Sequence, residues 1–448
     1  MNTVKAATVD AVTMNKNVEL VPRALLIPFV LITCCFALWG FANDITNPMV
    51  AAFQKIFLTG AAEATWVQVA FYAGYGAMAL PAALFIRRFS YKAGILVGLG
   101  LYATGGLLFV PASMVGEFYP FLLAYFVLTC GLSFLETTAN PYVLSMGPVE
   151  SATRRLNLAQ AFNPIGSLIG MYTASQFILA KLDARGKSAR ELLSAQEFDA
   201  VKRADLEIVS HPYVMIGLVI AVMFVLIALM KMPNHKAPNT MDVTLKAIFY
   251  RLRNSKKYVE GVIAQVFYVG AQIMCWTFII HYGTEVFTAQ GMAEKDAQVL
   301  SQQYNIVAMI IFCVSRFVCT FLLKFIPPGM LLLTLAAGGM ALSLGTILIG
   351  GVTGLYCLVA ISACMSLMFP TIYGIALKGM TGDDAKFAAA GLIMAIVGGT
   401  FLPMLQASVI DGWSLEMLSP VQASFVLPFL CFVLIAIYGY RTVKIHDT

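Results

Sequence analysis

"GLSFLETTANPYVLSMG", residues 131–147, lies in a strongly apolar run, yet it carries Glu136 followed at once by Thr137, Thr138 and Asn140. The run of about 119–146 around it exceeds the roughly 20 apolar residues that cross a bilayer as a helix. An acid at the bilayer centre costs roughly 2.5–3.5 kcal/mol on insertion scales, so it faces a cavity or a partner within the protein. Ser133, Glu136, Thr137 and Asn140 follow one another at steps of three, one and three, which stacks them on one side of a helix. The stretch therefore reads as a membrane helix with a polar stripe turned inward.

The same apolar richness runs along the chain. Of 448 residues, 60% are hydrophobic and 12% charged, with mean hydropathy +0.82, against about 25% charged in a soluble domain. Hydrophobic segments lie at about 24–50, 65–86, 93–112, 119–146, 156–181 and 211–231, then at about 259–282, 299–326, 329–350, 352–378, 387–409 and 420–440. Twelve helical spans follow, and the fold class is an all-α membrane protein of two six-helix bundles. A β-barrel requires short alternating segments, which do not occur. The first span is too long for a removable signal peptide and lacks the small-residue cleavage pattern, so it is expected to stay in the mature protein.

Charge placement orients the spans, because Lys and Arg crowd cytoplasmic loops. With both termini inside, 20 of the 29 Lys and Arg fall on the cytoplasmic side, so the net charge of +6 reads as topology and not as nucleic-acid binding. A multi-pass protein of the inner (cell) membrane is expected. All nine cysteines fall in spans, where free Cys acts as a small hydrophobe. No disulfide, metal or cofactor is expected.

The basic stretch "KMPNHKAPNTMDVTLKAIFYRLRNSKKY", 231–258, separates the sixth span from the seventh. The division is a tail at 1–23, an N-terminal bundle at 24–231, a linker at 232–258, a C-terminal bundle at 259–440 and a tail at 441–448. "LFIRRFSYKAGIL" (84–96) and "FLLKFIPPGMLL" (321–332) are similar cationic turns at equivalent places, as a duplicated transporter fold would show. The halves differ in polarity. The fifth span carries Asn157, Gln160 and Asn163 at i, i+3 steps, while "CMSLMFPTIYGIAL" (364–377) and "AAAGLIMAIVGGTFLPML" (388–405) are nearly bare of amides and carboxylates. One half offers a polar wall to the cleft, the other an apolar wall.

Glu136 has two readings. It is a structural ion-pair partner for Arg154 or Arg155, or a proton carrier, neutral when dry and ionised when wet, because desolvation disfavours the charged form. In "LWGFANDITNPMVAAF" (38–53), Asn43, Asp44 and Asn47 share one turn, and Pro48 removes an N–H from the helix. Asp44 is either a coupling site or solute ligand, or a wet residue near the outer mouth. Sugar sites combine amide and carboxylate groups with a flat ring surface. Asn43, Asn47, Asn140, Gln160, Asn163 and Gln272 supply amides, and Trp39 and Trp276 supply rings, unless the indoles belong to the interface belt. Arg316, mid-span in "FCVSRFVCTFLLK", is a gate or packing residue bound to backbone carbonyls, or a solute contact. Arg88, in the basic turn after the second span, is a second gating candidate.

The stretches "FALWGFAN", "SYKAGI", "LETTANP", "RLNLAQAFN", "YVGAQ" followed by "CW", and "FPTI", spread in order from about 36 to 373, resemble the L-fucose/proton symporter family of the major facilitator superfamily. The resemblance implies pseudo-symmetric bundles, alternating access and sugar import with a proton. It implies that Glu136 is a coupling and substrate carboxylate and that Gln160 and Asn163 are sugar ligands. In that family Asn, Asn is followed three residues later by Asp. Here "NDITN" puts Asn47 at the Asp position and an acid, Asp44, one turn earlier, so Asp44 substitutes for it, or the coupling or the sugar differs.

The leading expectation is a transporter, not an enzyme, importing L-fucose or a related hexose with protons, as a monomer in the bilayer whose partners are a monosaccharide and a proton. Its rivals are a glucose/galactose-type transporter with altered cation coupling and a proton-driven exporter. The exporter would need a large apolar cavity, which the amides of spans four and five oppose. A membrane enzyme would need an acid/base, nucleophile or metal cluster, and the four histidines show no such spacing.

Overall fold

A computed structural model describes residues 19–46, 49–59, 63, 66–185, 187–232, 244–412 and 418–446. Asn47, Pro48, residues 233–243 of the central linker and the far ends of both tails lie outside the described residues. The first half holds α1 (Leu26–Thr46), α2 (Trp66–Arg88), α3 (Tyr91–Leu107), α4 (Phe118–Ser145), α5 as α5a (Ala152–Gln160) and α5b (Asn163–Thr173), and α6 (Ala195–Leu229). A short helix, Leu245–Asn254, then leads into α7 (Lys256–Ala289), α8 (Glu294–Leu322) and α9 (Pro328–Leu348). The chain ends with α10 as α10a (Gly351–Met365) and α10b (Met368–Leu377), α11 as α11a (Gly382–Met394) and α11b (Gly398–Gly412), and α12 (Val426–Arg441). Among the described residues, eleven helical spans are long and apolar enough to cross a membrane, and the interrupted α5 is the twelfth. Twelve crossings return the chain to the end where it began, here termed the inner end.

The two halves repeat the same pairings. α1 packs on α5b as α7 packs on α11b, α2 on α4 as α8 on α10a, α3 on α4 as α9 on α10a, and α3 on α6 as α9 on α12. Small residues allow the first of these. A Cβ added at Gly166 would overlap the Ala37 carbonyl oxygen, and one at Gly40 would overlap that of Asn163. The α7/α11 pair repeats the device, since a Cβ at Gly398 would overlap the carbonyl of Val266. Such backbone-to-backbone approach is how membrane helices pack tightly without a hydrophobic driving force.

Two elements differ from the sequence reading. The fifth span, expected at 156–181, starts at Ala152 and breaks after Gln160, where Pro164 has no N–H to donate to the Gln160 carbonyl. The sixth begins sixteen residues before the expected 211, and its 35 residues reach about 52 Å, well beyond a hydrocarbon core of about 30 Å. A capping box starts the extension, with the Glu197 amide donating to Ser194 Oγ and the Ser194 amide donating to Glu197 Oε2. Most of what reads as a loop at 181–210 is therefore helix. Its charges fasten the preceding segment down: buried Arg190 pairs with buried Asp205, whose other oxygen accepts the Asp183 amide at 2.9 Å.

At the inner end the halves meet, with α2 against α11a and α5a against α10b. Arg87 bonds Asp383 at 2.7 Å across this seam, and Lys386 bonds the same carboxyl at 3.0 Å. Arg251 of the linker helix bonds Asp384 at 2.6 Å. The apolar core of the first half continues through the seam to include Tyr258, Tyr373, Phe387 and Leu392.

Candidate functional site

Helix α4 sets the site, because every residue from Leu128 to Val143 is buried. Glu136 is 1% exposed, its Oε2 has no hydrogen-bond partner, and no cation reaches it among the described residues. The ion pair with Arg154 or Arg155 is not formed. Arg154 is half-buried, and Arg155 is consumed at the inner end of α4, donating from Nε to the Val143 carbonyl at 2.7 Å and from Nη1 to that of Leu20 at 3.0 Å. Those bonds satisfy carbonyls that a helix C-terminus leaves without donors.

One neighbour of Glu136 escaped the sequence reading. Tyr75 of α2, 2% exposed, hydrogen-bonds the Glu136 carboxyl. Its hydroxyl also accepts from Trp39 Nε1 at 3.0 Å and lies 3.5 Å from Asn43 Oδ1 as a donor. The register is fixed nearby, where Ser133, one turn before Glu136, donates to the Tyr75 carbonyl at 3.3 Å. At Gly74 a Cβ would sit 2.7 Å from Thr129 Cβ, so α2 and α4 are in close contact here. In sequence, "FYAGYGAM" offers only a tyrosine between two glycines, a signal of close packing and not of chemistry.

The other candidates fall into groups. Asn140 and Gln160 join, Gln160 Nε2 donating to Asn140 Oδ1 at 2.9 Å. Asn163 donates to the Phe36 carbonyl at 3.2 Å, tying α5b to α1 beside Trp39. Asn43 and Asp44 are half-buried, and Asp44 is in electrostatic reach of Tyr72, one turn before Tyr75 on α2. On α7, Gln272 is half-buried, and Trp276 donates to Ser362 Oγ at 3.2 Å while meeting Phe312 edge-on at 4.9 Å. Neither Trp39 nor Trp276 is spent on the lipid surface, since each indole N–H ends on a hydroxyl of a neighbouring helix. Arg88 is exposed with its guanidinium over Phe89, while its neighbour Arg87 makes the ion pair across the seam.

Arg316 is 4% exposed and bridges the halves. Its Nε donates to the Ser366 carbonyl and its Nη1 to the Gln160 carbonyl at 3.1 Å, with Phe312 under the guanidinium at 4.5 Å. These two carbonyls share a cause. Gln160 stands four residues before Pro164 and Ser366 four before Pro370, so each has lost its helical donor to a proline. The fork of one arginine restores both.

Several buried polar atoms keep unspent capacity: Glu136 Oε2, Thr137 Oγ1, Asn140 Nδ2, Asn157 Oδ1, Tyr373 OH and both amide atoms of Gln265. They come from α4, α5a, α10b and α7, of which α4 packs on α5a, α5a on α10b and α10b on α7. Buried polar groups are normally paired with protein or water, so this set can bind a polyhydroxylated solute or ordered water. Asn157 also donates across the seam to Thr371 Oγ1 at 3.2 Å. Gln265 was not singled out from sequence, because a lone amide three residues before "YVGAQ" has no local pattern.

Residues 32–403 match the Major Facilitator Superfamily. The chain is 50% identical over 434 residues to the L-fucose-proton symporter of Haemophilus influenzae, covering 96% of this chain and 99% of that protein. It is 33% identical over 420 residues to the L-fucose-proton symporter of Escherichia coli, with 93% of each covered. A glucose/galactose transporter of Brucella abortus is 29% identical over 409 residues, with 91% of this chain and 92% of that one covered. The crystal structure of the Escherichia coli fucose:proton symporter in the outward conformation superposes with a TM-score of 0.83 at 32% identity, over 93% of this chain and 99% of that one.

Proposed function

The chain belongs to the L-fucose/proton symporter family of the major facilitator superfamily, and from that premise we propose that it imports L-fucose with protons by alternating access. The inner end faces the cytoplasm and the membrane is the cell (inner) membrane, a reading supported by the excess of Lys and Arg at that end. Two bundles, 24–231 and 259–440, rock about the linker at 232–258 and expose the cleft first to one side and then to the other.

Glu136 carries the proton. The observation behind this role is a buried carboxyl without a cationic partner among the described residues, set beside amides with free capacity. Neutralisation by a proton is the remaining way to hold such a group in a dry site. Loading occurs when the cleft is open outward, and release follows when cytoplasmic water reaches the carboxyl. Asp44 is the second acid, taking the place of an acid at Asn47. Asn43, Asn47, Asn140, Gln160, Asn163 and Gln272 bind sugar hydroxyls, and the indoles of Trp39 and Trp276 supply flat surface. Arg316 and the Arg87–Asp383 pair form the inner gate, and Arg88 stays at the membrane surface. A single chain suffices for this cycle, and no cofactor enters it.

Proteoliposomes with an inward pH gradient test this. Labelled L-fucose accumulates, and a protonophore abolishes the accumulation. Uptake unchanged by collapse of the gradient refutes proton symport, and uptake that follows a sodium gradient instead transfers the coupling to that ion. Competition by glucose and galactose in the same vesicles tests the rival sugar class.

A further inference from the structure

We propose that Tyr75 is a positioning residue that transmits the protonation state of Glu136 to the sugar-binding residue Asn43. This deepens the function proposed above and rests on it.

A phenol has one proton to donate and can also accept. The Tyr75 hydroxyl is placed among three partners: the Glu136 carboxyl, Trp39 Nε1 at 3.0 Å and Asn43 Oδ1 at 3.5 Å. The indole only donates, so it holds an oxygen lone pair in every state. Ionised Glu136 only accepts, so it takes the Tyr75 proton, and Asn43 Oδ1 goes without. Protonated Glu136 can donate to the Tyr75 oxygen, which releases the phenolic proton towards Asn43 Oδ1. That bond fixes the Asn43 side chain with its Nδ2 free for a sugar hydroxyl. Protonation thus orients a solute ligand on α1 through a hydroxyl on α2, without displacing either helix.

The site can support such a switch. Tyr75 and Glu136 are both almost completely buried, so the phenolic proton goes to one of the two side chains and not to water. The α2/α4 register is pinned by Ser133 and by the contact at Gly74, which leaves rotation of the hydroxyl as the soft coordinate. The other titratable group facing Glu136 is Tyr373 on α10b, which lies in electrostatic reach of the carboxyl with its own hydroxyl unpartnered, while Tyr72, one turn before Tyr75 on α2, is in electrostatic reach of Tyr75. Tyr72 in turn reaches Asp44, so both candidate acids meet α2 tyrosines one turn apart.

The test is L-fucose binding to the purified full chain at a series of pH values from about 5 to 9, for wild type, Tyr75→Phe and Glu136→Gln. Coupling between two bound ligands commonly spans about 5- to 150-fold in affinity, and wild type is expected to show a change of about tenfold over this range. Tyr75→Phe keeps the ring and removes the relay, so its affinity should vary less than about twofold over the same range, as should that of Glu136→Gln. Equal weakening of Tyr75→Phe at every pH, with the wild-type slope kept, means a packing role and overturns the proposal. A wild-type slope in Glu136→Gln instead removes the coupling role from Glu136, a failure of the parent reading. Asn43→Ala gives a second route that leaves Tyr75 in place. It should bind more weakly and lose the slope, and a retained slope contradicts the relay even if Tyr75→Phe does not fold.

Discussion

Replacing Arg316 with glutamine should tip the protein towards the state open to the cytoplasm. Of the two carbonyls the guanidinium holds, Ser366 lies in the same half as Arg316, whereas Gln160 lies in the other. Only the second bond opposes separation of the inner ends. A hydrogen bond involving a charged group contributes about 1.5–3 kcal/mol, and each 1.4 kcal/mol is a factor of about ten. Losing it should therefore raise the ratio of cytoplasm-open to cytoplasm-closed molecules by roughly 10- to 100-fold. In the open state water reaches the Gln160 carbonyl, so nothing offsets the shift. Lysine at 316 keeps the charge but not the fork, and its shift should be intermediate. Spin labels at Phe89 and Lys378, both exposed near the inner seam, report the opening by pulsed EPR in a background freed of accessible cysteines such as Cys34. Distance distributions for Arg316→Gln that superimpose on wild type would refute the idea that this arginine holds the halves together.

Other substitutions probe the frame. Arg87→Ala leaves Asp383 with Lys386 alone; it should favour the same cytoplasm-open state more weakly, seen as a smaller long-distance population with the same labels. Gly166→Val forces a side chain into the Ala37 carbonyl and should separate α1 from α5b, lowering both thermal stability and sugar binding, while Ile169→Val on the exposed face of α5b leaves both unchanged. The outer segment should not sense pH. Arg185 beside Asp183 holds that carboxyl well below the usual range, so its small, solvent-screened stabilisation is complete above a pH of about 4 and is lost only as pH falls below that. Asp183→Asn should therefore leave the pH profile of uptake between 5 and 8 unaltered.

What the sequence discloses here follows from local rules. Hydropathy, basic turns and the i, i+3 stripes on α4 and α5 are properties of single segments, and they lead to twelve spans and to an acid beside amides. Residues whose meaning depends on a distant partner remain hidden. Arg154 and Arg155 are adjacent and alike in sequence, yet one is half-buried while the other caps α4. Arg87 and Arg88 divide in the same way, because a helix turns about 100° per residue and only Arg87 meets Asp383. Tyr75 looks like any aromatic residue of an apolar helix until the Ser133 contact places it beside Glu136. Pro164 and Pro370 announce broken helices, but not that one arginine serves both freed carbonyls. The outer half of α6 was missed because its charges resemble a loop, although Ser194 and Glu197 spell a helix start.

The central claim is that one carboxyl on α4 couples proton flow to sugar movement, and Glu136→Gln measured two ways in the same proteoliposomes tests it most directly. Exchange of labelled for unlabelled L-fucose needs only binding and rocking, whereas accumulation against a gradient needs the proton. The account predicts that the variant exchanges sugar and fails to concentrate it under an imposed pH gradient. Accumulation at the wild-type level by that variant would contradict it.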